Sequence, residues 1–317
     1  MRRSRKKSET KYILRVGTDC SGIEAPIQAL KNLKIPFRHV FSSEIDKGCI
    51  STIKANYTPE KLFGDTDGPY PEGDIRKRDI KDVPEIDMYI CGFPCQPFSV
   101  AGKHRGEHDE RGDVFRLGCM RVIRARRPEI IVLENVPPLL TIEKGATWAR
   151  MLRALSRGGE YTVRWAVLNP TSFGLPQNRP RLYIIGRRNG PVSLPEPMPL
   201  IKTASDFSLA MVDPSQRVLT PFCRAKLPKL RGAVFADMYM KPSSKVSNPA
   251  IAPCIMSKGL YWNVQRGRLA TKEELLGLQG FPITLEIPGT VTRARRQIGN
   301  SMAVPVVQAV FKALLGF

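Results

Sequence analysis

Ile86-Asp87-Met88-Tyr89-Ile90-Cys91-Gly92-Phe93-Pro94-Cys95-Gln96-Pro97-Phe98-Ser99 is the stretch that decides the fold. Its first six residues have the length and apolar character of a buried strand. Gly92 ends that run, and Cys95 then stands between two prolines. Proline lacks a backbone donor and fixes φ, so the segment can neither continue as strand nor begin an ordinary helix. A thiol is thereby held at the end of a strand, where open α/β sheets place their chemistry. A second apolar run, Ile130-Ile131-Val132-Leu133, ends in Glu134-Asn135-Val136. Two strands ending in a nucleophile and a carboxyl make a catalytic constellation rather than a packing one.

Outward from this pair, strands alternate with helices. Leu14–Gly17 reads as a first strand, followed by a turn at Gly22 and a helix from Ala25 to Leu33. His39–Ser43 reads as a second strand ending at Glu44, with a helix over Lys47–Asn56. Helices are expected from about Val114 to Arg126 and over Trp148–Leu155, and strands over Tyr161–Leu168 and Arg181–Gly186. The alternation predicts an α/β fold, a doubly wound and mostly parallel sheet of Rossmann-like type. After Gly190 the pattern breaks into a proline-rich, weakly periodic stretch. Helical signals resume at Thr271, where Glu274 three residues later completes a capping box, and a last helix is expected from Pro305 to Leu315. The expected organisation is a basic tail over 1–11, a main domain over 12–190 plus 266–317, and a small irregular domain inserted at 191–265.

Composition narrows the partners. The 317 residues carry a formal charge of +21, with 42% hydrophobic and 25% charged residues, ordinary for a globular protein apart from the charge. Residues 187–317 hold eighteen Lys and Arg against seven acids, whereas 16–186 hold twenty-five against twenty-one. A polyanion is the natural partner of such an excess, because neutralising phosphates releases counterions. No apolar run approaches the roughly 18 residues of a membrane span, so no membrane partner is expected. The basic N-terminus lacks the apolar core of a secretion signal. Seven cysteines without a C-x-x-C pair argue against a disulfide framework and a zinc ribbon, and suit an intracellular, reduced protein. His104-Arg105-Gly106-Glu107-His108 fits H-x-x-E-H, but Gly102, Gly106 and Gly112 oppose the helix that a metal site there needs. No metal is expected.

Phe93-Pro94-Cys95-Gln96, Glu134-Asn135-Val136, Gln177-Asn178-Arg179-Pro180-Arg181 and Gln297-Ile298-Gly299-Asn300-Ser301 occur in that order over most of the chain. Together they resemble the motifs of the cytosine-C5 DNA methyltransferases, of the short bacterial or viral type. The resemblance implies an enzyme that transfers a methyl group from S-adenosylmethionine to C5 of a flipped-out cytosine in duplex DNA. It implies catalytic roles for Cys95, Glu134, Asn135, Arg179 and Arg181. Cys95 would be the nucleophile at C6, Glu134 the proton donor to N3 and Arg181 the cation near O2. Arg179 would brace Glu134 or the backbone, and Asn135 would hold the catalytic loop. The cofactor would rest on Ser21, Gly22, Ile23, Glu44, Ile45, Asp74, Ile75, Pro94, Asn300 and Ser301. Duplex DNA would meet Gln96, Ser99, Lys103 and Arg105 in a loop beside Cys95. It would also meet Lys226, Lys229 and Arg231 in the inserted domain, now read as the target-recognition region. A monomer working in the cytoplasm, in restriction–modification or DNA protection, is the matching expectation.

One departure stands out. The family's first motif usually reads Phe-x-Gly-x-Gly-Gly, whereas this chain has Cys20-Ser21-Gly22-Ile23-Glu24-Ala25. Only the first of its three glycines remains, so close backbone approach to the cofactor is less assured. Two alternatives stay open: transfer RNA cytosine-C5 methylation on the same fold, and a non-catalytic DNA-binding homologue. The retention of Cys95, Glu134 and both arginines argues against the second.

Overall fold

The computed structural model describes residues 13–94, 114–210, 220–230, 232–239 and 250–316. Seven strands form the main sheet: β1 (Leu14–Asp19), β2 (Phe37–Ser43), β3 (Leu62–Phe63), β4 (Met88–Cys91), β5 (Ile130–Asn135), β6 (Tyr161–Leu168) and β7 (Arg181–Arg188). They lie in the order β3-β2-β1-β4-β5-β7-β6. The first five strands pair in parallel, while β7 is antiparallel to both β5 and β6. The α/β, mostly parallel expectation therefore holds. The reversal has a plain cause: the link from β6 to β7 carries only a 3-10 turn at Pro170–Ser172, too little for the helical crossover that parallel strands require.

Both faces of this sheet are buried, with the period of two that a pleat dictates. Met88, Ile90, Ile130, Val132, Tyr183 and Ile185 pack into one apolar cluster. Their neighbours Tyr89, Cys91, Ile131, Leu133, Leu182 and Ile184 pack into another. The first is covered by α1 (Ala25–Asn32), α2 (Lys47–Asn56) and three helices from the end of the chain; the second by α3 (Met120–Arg126) and α4 (Ala146–Ser156). Asp46 caps α2 by accepting from the Gly48 and Cys49 amides, a contribution of about 1 kcal/mol. Val114–Cys119, expected as the first turns of α3, is a π-helical turn instead. Such widened turns gather at functional sites, and this one follows directly on the segment carrying Cys95.

Between Gly190 and Thr271 the chain forms a four-residue helix, α5 (Pro221–Arg224), and a small antiparallel sheet. That sheet comprises β8 (Phe235–Asp237), β9 (Tyr261–Asn263) and β10 (Arg268–Leu269). Its own core is Cys223, Leu230, Ala236, Met238 and Leu260. Ala204, Val234, Ala252 and Ile255 from the same stretch join the main core. Three helices close the chain: α6 (Lys272–Gln279), α7 (Val291–Asn300) and α8 (Val304–Leu315). The capping box of Thr271 and Glu274 is present at α6. Val291–Leu315 has the length and apolar content to cross a membrane. It is two helices broken at Ser301–Ala303, however, and 67% of its most apolar window is buried.

Candidate active site

The carboxyl ends of β1, β4 and β5 and the α7–α8 junction line one partly open cavity. Thr18, Asp19, Cys20, Ser21 and Gly22 line one wall, Gly92 and Glu134 a second, and Asn300, Ser301 and Met302 a third. The turn after β1 and the carboxylate ending β5 therefore share one space. Gly22 has φ +57°, and a Cβ there would meet nothing within 4 Å. Its amide donates to Glu44 Oε2 at 2.8 Å, and Glu44 Oε1 accepts from the Ile45 and Asp46 amides. Burial pushes the Glu44 carboxyl above the usual carboxylate range, against the opposing pull of those amides.

Glu134 is 13% exposed, and its Oε1 lies 3.4 Å from Nε of Arg181. The strand register explains the meeting. Glu134 pairs with Tyr183 across antiparallel strands, so the end of β5 and the start of β7 reach the same edge. Burial raises the Glu134 pKa, and Arg181 and then Arg179 oppose the rise. Such a carboxyl keeps its proton into a higher pH range than a solvated one. Asn135 donates from Nδ2 to the Phe93 carbonyl at 3.2 Å, two residues ahead of Cys95.

Arg179 has another task. Its guanidinium is buried and donates to the carbonyls of Ile255 (2.6 Å), Gly299 (3.0 Å) and Ser301 (2.8 Å). It braces backbone, tying the small-sheet region to the cavity wall. Gln177 reinforces the tie, donating to Leu278 O and Gln279 Oε1 while accepting from the Ile255 amide. Gly299 is required here because a Cβ would fall 2.4 Å from the Met256 carbonyl carbon.

Several sequence-predicted residues lie elsewhere. Ile23 is in the main core, and Ile75 is buried in the other cluster. Asp74 is paired with Arg76, which holds its carboxyl below the usual range. Glu44, Ile45 and Pro94 are outside the lining of the cavity, and the Ile45 side chain is exposed. Lys226 requires a correction. It is buried, its ammonium donating to Met238 O at 2.6 Å and lying 4.3 Å from the centre of the Phe222 ring. Turned inward by α5, it is not placed to reach a phosphate, whereas Lys229 is exposed. Cys95, Gln96, Ser99, Lys103, Arg105, Arg231 and the His104–His108 pattern lie outside the described residues. Among the described residues no group of three His, Cys, Asp or Glu could hold a metal ion.

Sequence reading missed the buried pair of Arg78 and Asp19. Two bonds of 2.6 and 2.7 Å join them, and Tyr89 donates to Asp19 Oδ2 at 2.7 Å. Arg78 also lies over the rings of Phe41 and Phe63. No local pattern announces this contact, which spans 59 residues.

The model of the C-5 cytosine-specific DNA methylase family matches residues 19–221 and 224–316. The chain belongs to the C-5 cytosine-specific DNA methylases. It is an enzyme of the DNA (cytosine-5-)-methyltransferase class. Among similar members, Type II methyltransferase M1.ScrFI of Lactococcus lactis subsp. cremoris is 36% identical over 292 residues, covering 88% of this chain and 72% of the relative. Type II methyltransferase M.NgoBI of Neisseria gonorrhoeae is 35% identical over 281 residues, covering 86% and 85%. The methylase fold is shared with an E. coli structure described as a putative DNA modification methyltransferase encoded within a prophage. That match has a TM-score of 0.72 at 18% identity and covers 96% of this chain and 99% of the other. The S. pombe Dnmt2 methyltransferase matches with a TM-score of 0.69 at 22% identity, covering 96% and 98%.

Proposed function

We propose that this methylase acts on cytosine in duplex DNA with S-adenosylmethionine as methyl donor, through a covalent adduct between Cys95 and C6. The observation that carries the reading is the single cavity shared by the Ser21–Gly22 turn, Glu134 and the Asn300–Ser301 wall. A donor seated against the turn lies beside the carboxyl that would handle the base. The residues suit the cofactor: Gly22 leaves its Cβ position open for close approach, and Glu44, outside the cavity lining but bonded to the Gly22 amide at the end of β2, is the acceptor proposed for a ribose diol. S-adenosylmethionine supplies an electrophilic methyl group when bound.

Cytosine C5 is a poor nucleophile until the ring's aromaticity is broken. The Cys95 thiolate adds to C6, and the displaced electron pair moves towards N3 and O2. Glu134, whose burial favours the protonated form, delivers its proton to N3. Arg181 holds Glu134 and presents a cation on the O2 side. C5 then takes the methyl group, loss of the C5 proton expels the thiolate from C6, and N3 returns its proton to Glu134. The target base must leave the stack for this geometry to be reached. By the family resemblance, Gln96, Ser99, Lys103 and Arg105 would be the residues that fill the gap. The region 191–265 acts as the recognition domain, with Lys229 and Arg231 on phosphates. The bacterial relatives named as Type II methyltransferases support a cytoplasmic enzyme that protects DNA in restriction–modification.

The test is methyl transfer from labelled S-adenosylmethionine to duplex DNA, to single strands and to transfer RNA, with bisulfite sequencing of the duplex. Label fixed at C5 of a defined cytosine in the duplex is the expected result. Transfer confined to RNA would overturn the substrate assignment.

A further inference from the structure

Glu24 occupies a position where two independent features oppose its presence. Its backbone is left-handed, with φ 60° and ψ 47°, a conformation that side chains other than glycine rarely adopt. Its carboxylate is fully buried at the N-terminus of α1. A residue kept under both costs is held by what its side chain does.

The side chain joins the ends of two strands. Thr18 Oγ1, on β1, donates to Glu24 Oε1 at 2.7 Å, and Ser42 Oγ, on β2, donates to the same oxygen. Each hydroxyl has one hydrogen, and both hydrogens go to this carboxylate. His39 Nε2 lies 2.9 Å from Ser42 Oγ and 3.5 Å from Glu24 Oε1. Ser21 Oγ, which lines the cavity, lies 2.9 Å from Thr18 Oγ1. Ser21 also bonds the end of β2, its amide donating to the Ser43 carbonyl at 3.2 Å. One carboxylate thus orders the hydroxyls that hold the cavity turn, and it fixes that turn against the strand leading to Glu44.

We infer that Glu24 is a positioning residue for the cofactor: its buried carboxylate, through Thr18, Ser42 and Ser21, holds the Cys20–Gly22 turn in the shape that receives S-adenosylmethionine. The inference rests on the proposed use of that cofactor. It assigns to a side chain the task that unhindered glycine backbone would otherwise perform at this bend.

Backbone preference and side-chain network predict opposite signs for one substitution. Glu24→Gly suits φ 60° and relieves the strain, so a purely conformational role predicts equal or tighter cofactor binding. The network predicts weaker binding, because two buried hydroxyls lose their acceptor. Calorimetric titration of the full chain with S-adenosylmethionine should show affinity falling at least about tenfold in Glu24→Gly and Glu24→Ala. Glu24→Gln, which keeps an acceptor oxygen, should stay within about threefold of wild type. Duplex affinity without cofactor should not change in any of the three.

Should Glu24→Gly fail to fold, Ser42→Ala keeps the question open. It should raise KM for the cofactor while leaving kcat at saturation near the wild-type value. Wild-type affinity in Glu24→Gly, or a lower kcat with unchanged KM in Ser42→Ala, would overturn the inference. Absence of S-adenosylmethionine binding by the wild-type chain would instead remove the cofactor reading itself.

Discussion

The cavity edge of the main sheet and the small sheet of β8–β10 are both built from short strands, yet different forces hold them. At the cavity the strands are buried on both faces, and polar groups are added at their ends: Asp19 with Arg78, Glu44 with three amides, Glu134 with Arg181. The small sheet has a small core of its own, lends Phe235 and Tyr261 to the main core, and adds polar contacts. Arg268 and the buried Glu274 join it to α6, Asp237 accepts from the Tyr239 and Leu260 amides, and Arg179 grips the chain at Ile255. The cavity thus sits on a rigid scaffold, whereas the proposed recognition domain is joined to it by an apolar seam at Ala204, Val234, Ala252 and Ile255 and by these specific bonds. Sites on rigid elements keep their geometry best.

The sharpest break of this contrast is Cys95→Ser. Methyl transfer should fall below about one-thousandth of wild type, while gel-shift affinity for duplex DNA is kept, because an alcohol has too little alkoxide at neutral pH to add to C6. Turnover within tenfold of wild type would dismiss Cys95 as nucleophile. Glu134→Gln should cost about 10²- to 10⁴-fold in single-turnover rate with little change in affinity. The raised Glu134 pKa also fixes a sign. The protonated, donating form persists above the ordinary carboxylate range, so the wild-type rate relative to Glu134→Gln should fall as pH rises through that raised value. A ratio that rises with pH would show that Glu134 works as a carboxylate.

Arg78→Met tests the scaffold itself. It leaves Asp19 buried without its cation and should destabilise the chain by about 3–5 kcal/mol in denaturant unfolding. A cost below about 1 kcal/mol would place the strength of this edge in its apolar packing alone. The smallest effect separates two lysines of the small-sheet region. Lys229→Gln should reduce the salt slope of duplex binding by about one. Lys226→Met, altering a side chain that faces inward, should leave the slope unchanged and shift thermal stability instead. The reverse pattern would mean that Lys226 turns outward on DNA.

The legible part of the fold was the part written in apolar runs. Lys47–Asn56 and Tyr161–Leu168 were readable to the residue, and β4 and β5 were located because buried parallel strands are continuous hydrophobic stretches. Helix α7 was not seen. Its inward positions are Ala294, Gln297, Ile298 and Gly299 among three arginines, so no apolar run marks it. Strands of two or three residues such as β3 and β10 carry no pattern, and their pairing is decided by distant partners. The motifs bring Glu134 and Arg181 to one site, since each ends or begins a strand. The brace on Glu134 or the backbone is expected of Arg179, whereas Arg181 lies against Glu134 and Arg179 grips backbone. The inward turn of Lys226 was not legible, because nothing in Lys-Leu-Pro-Lys-Leu-Arg tells one lysine from the other. Arg78 and Glu24 were hidden for a similar reason: their partners come from other strands.

The seam at Ala252–Ile255 bears on engineering. The Ala252 amide donates to Pro176 O, the Asn178 amide donates to Ala252 O, and Arg179 and Gln177 both bond Ile255. These four residues fall within 191–265 in sequence, but they serve as lining for the loop that delivers the arginines. A chimera that imports a foreign recognition segment should therefore place its downstream junction before residue 250. Cutting later would replace the lining together with the segment, and altered target choice would then arrive together with a disabled catalyst.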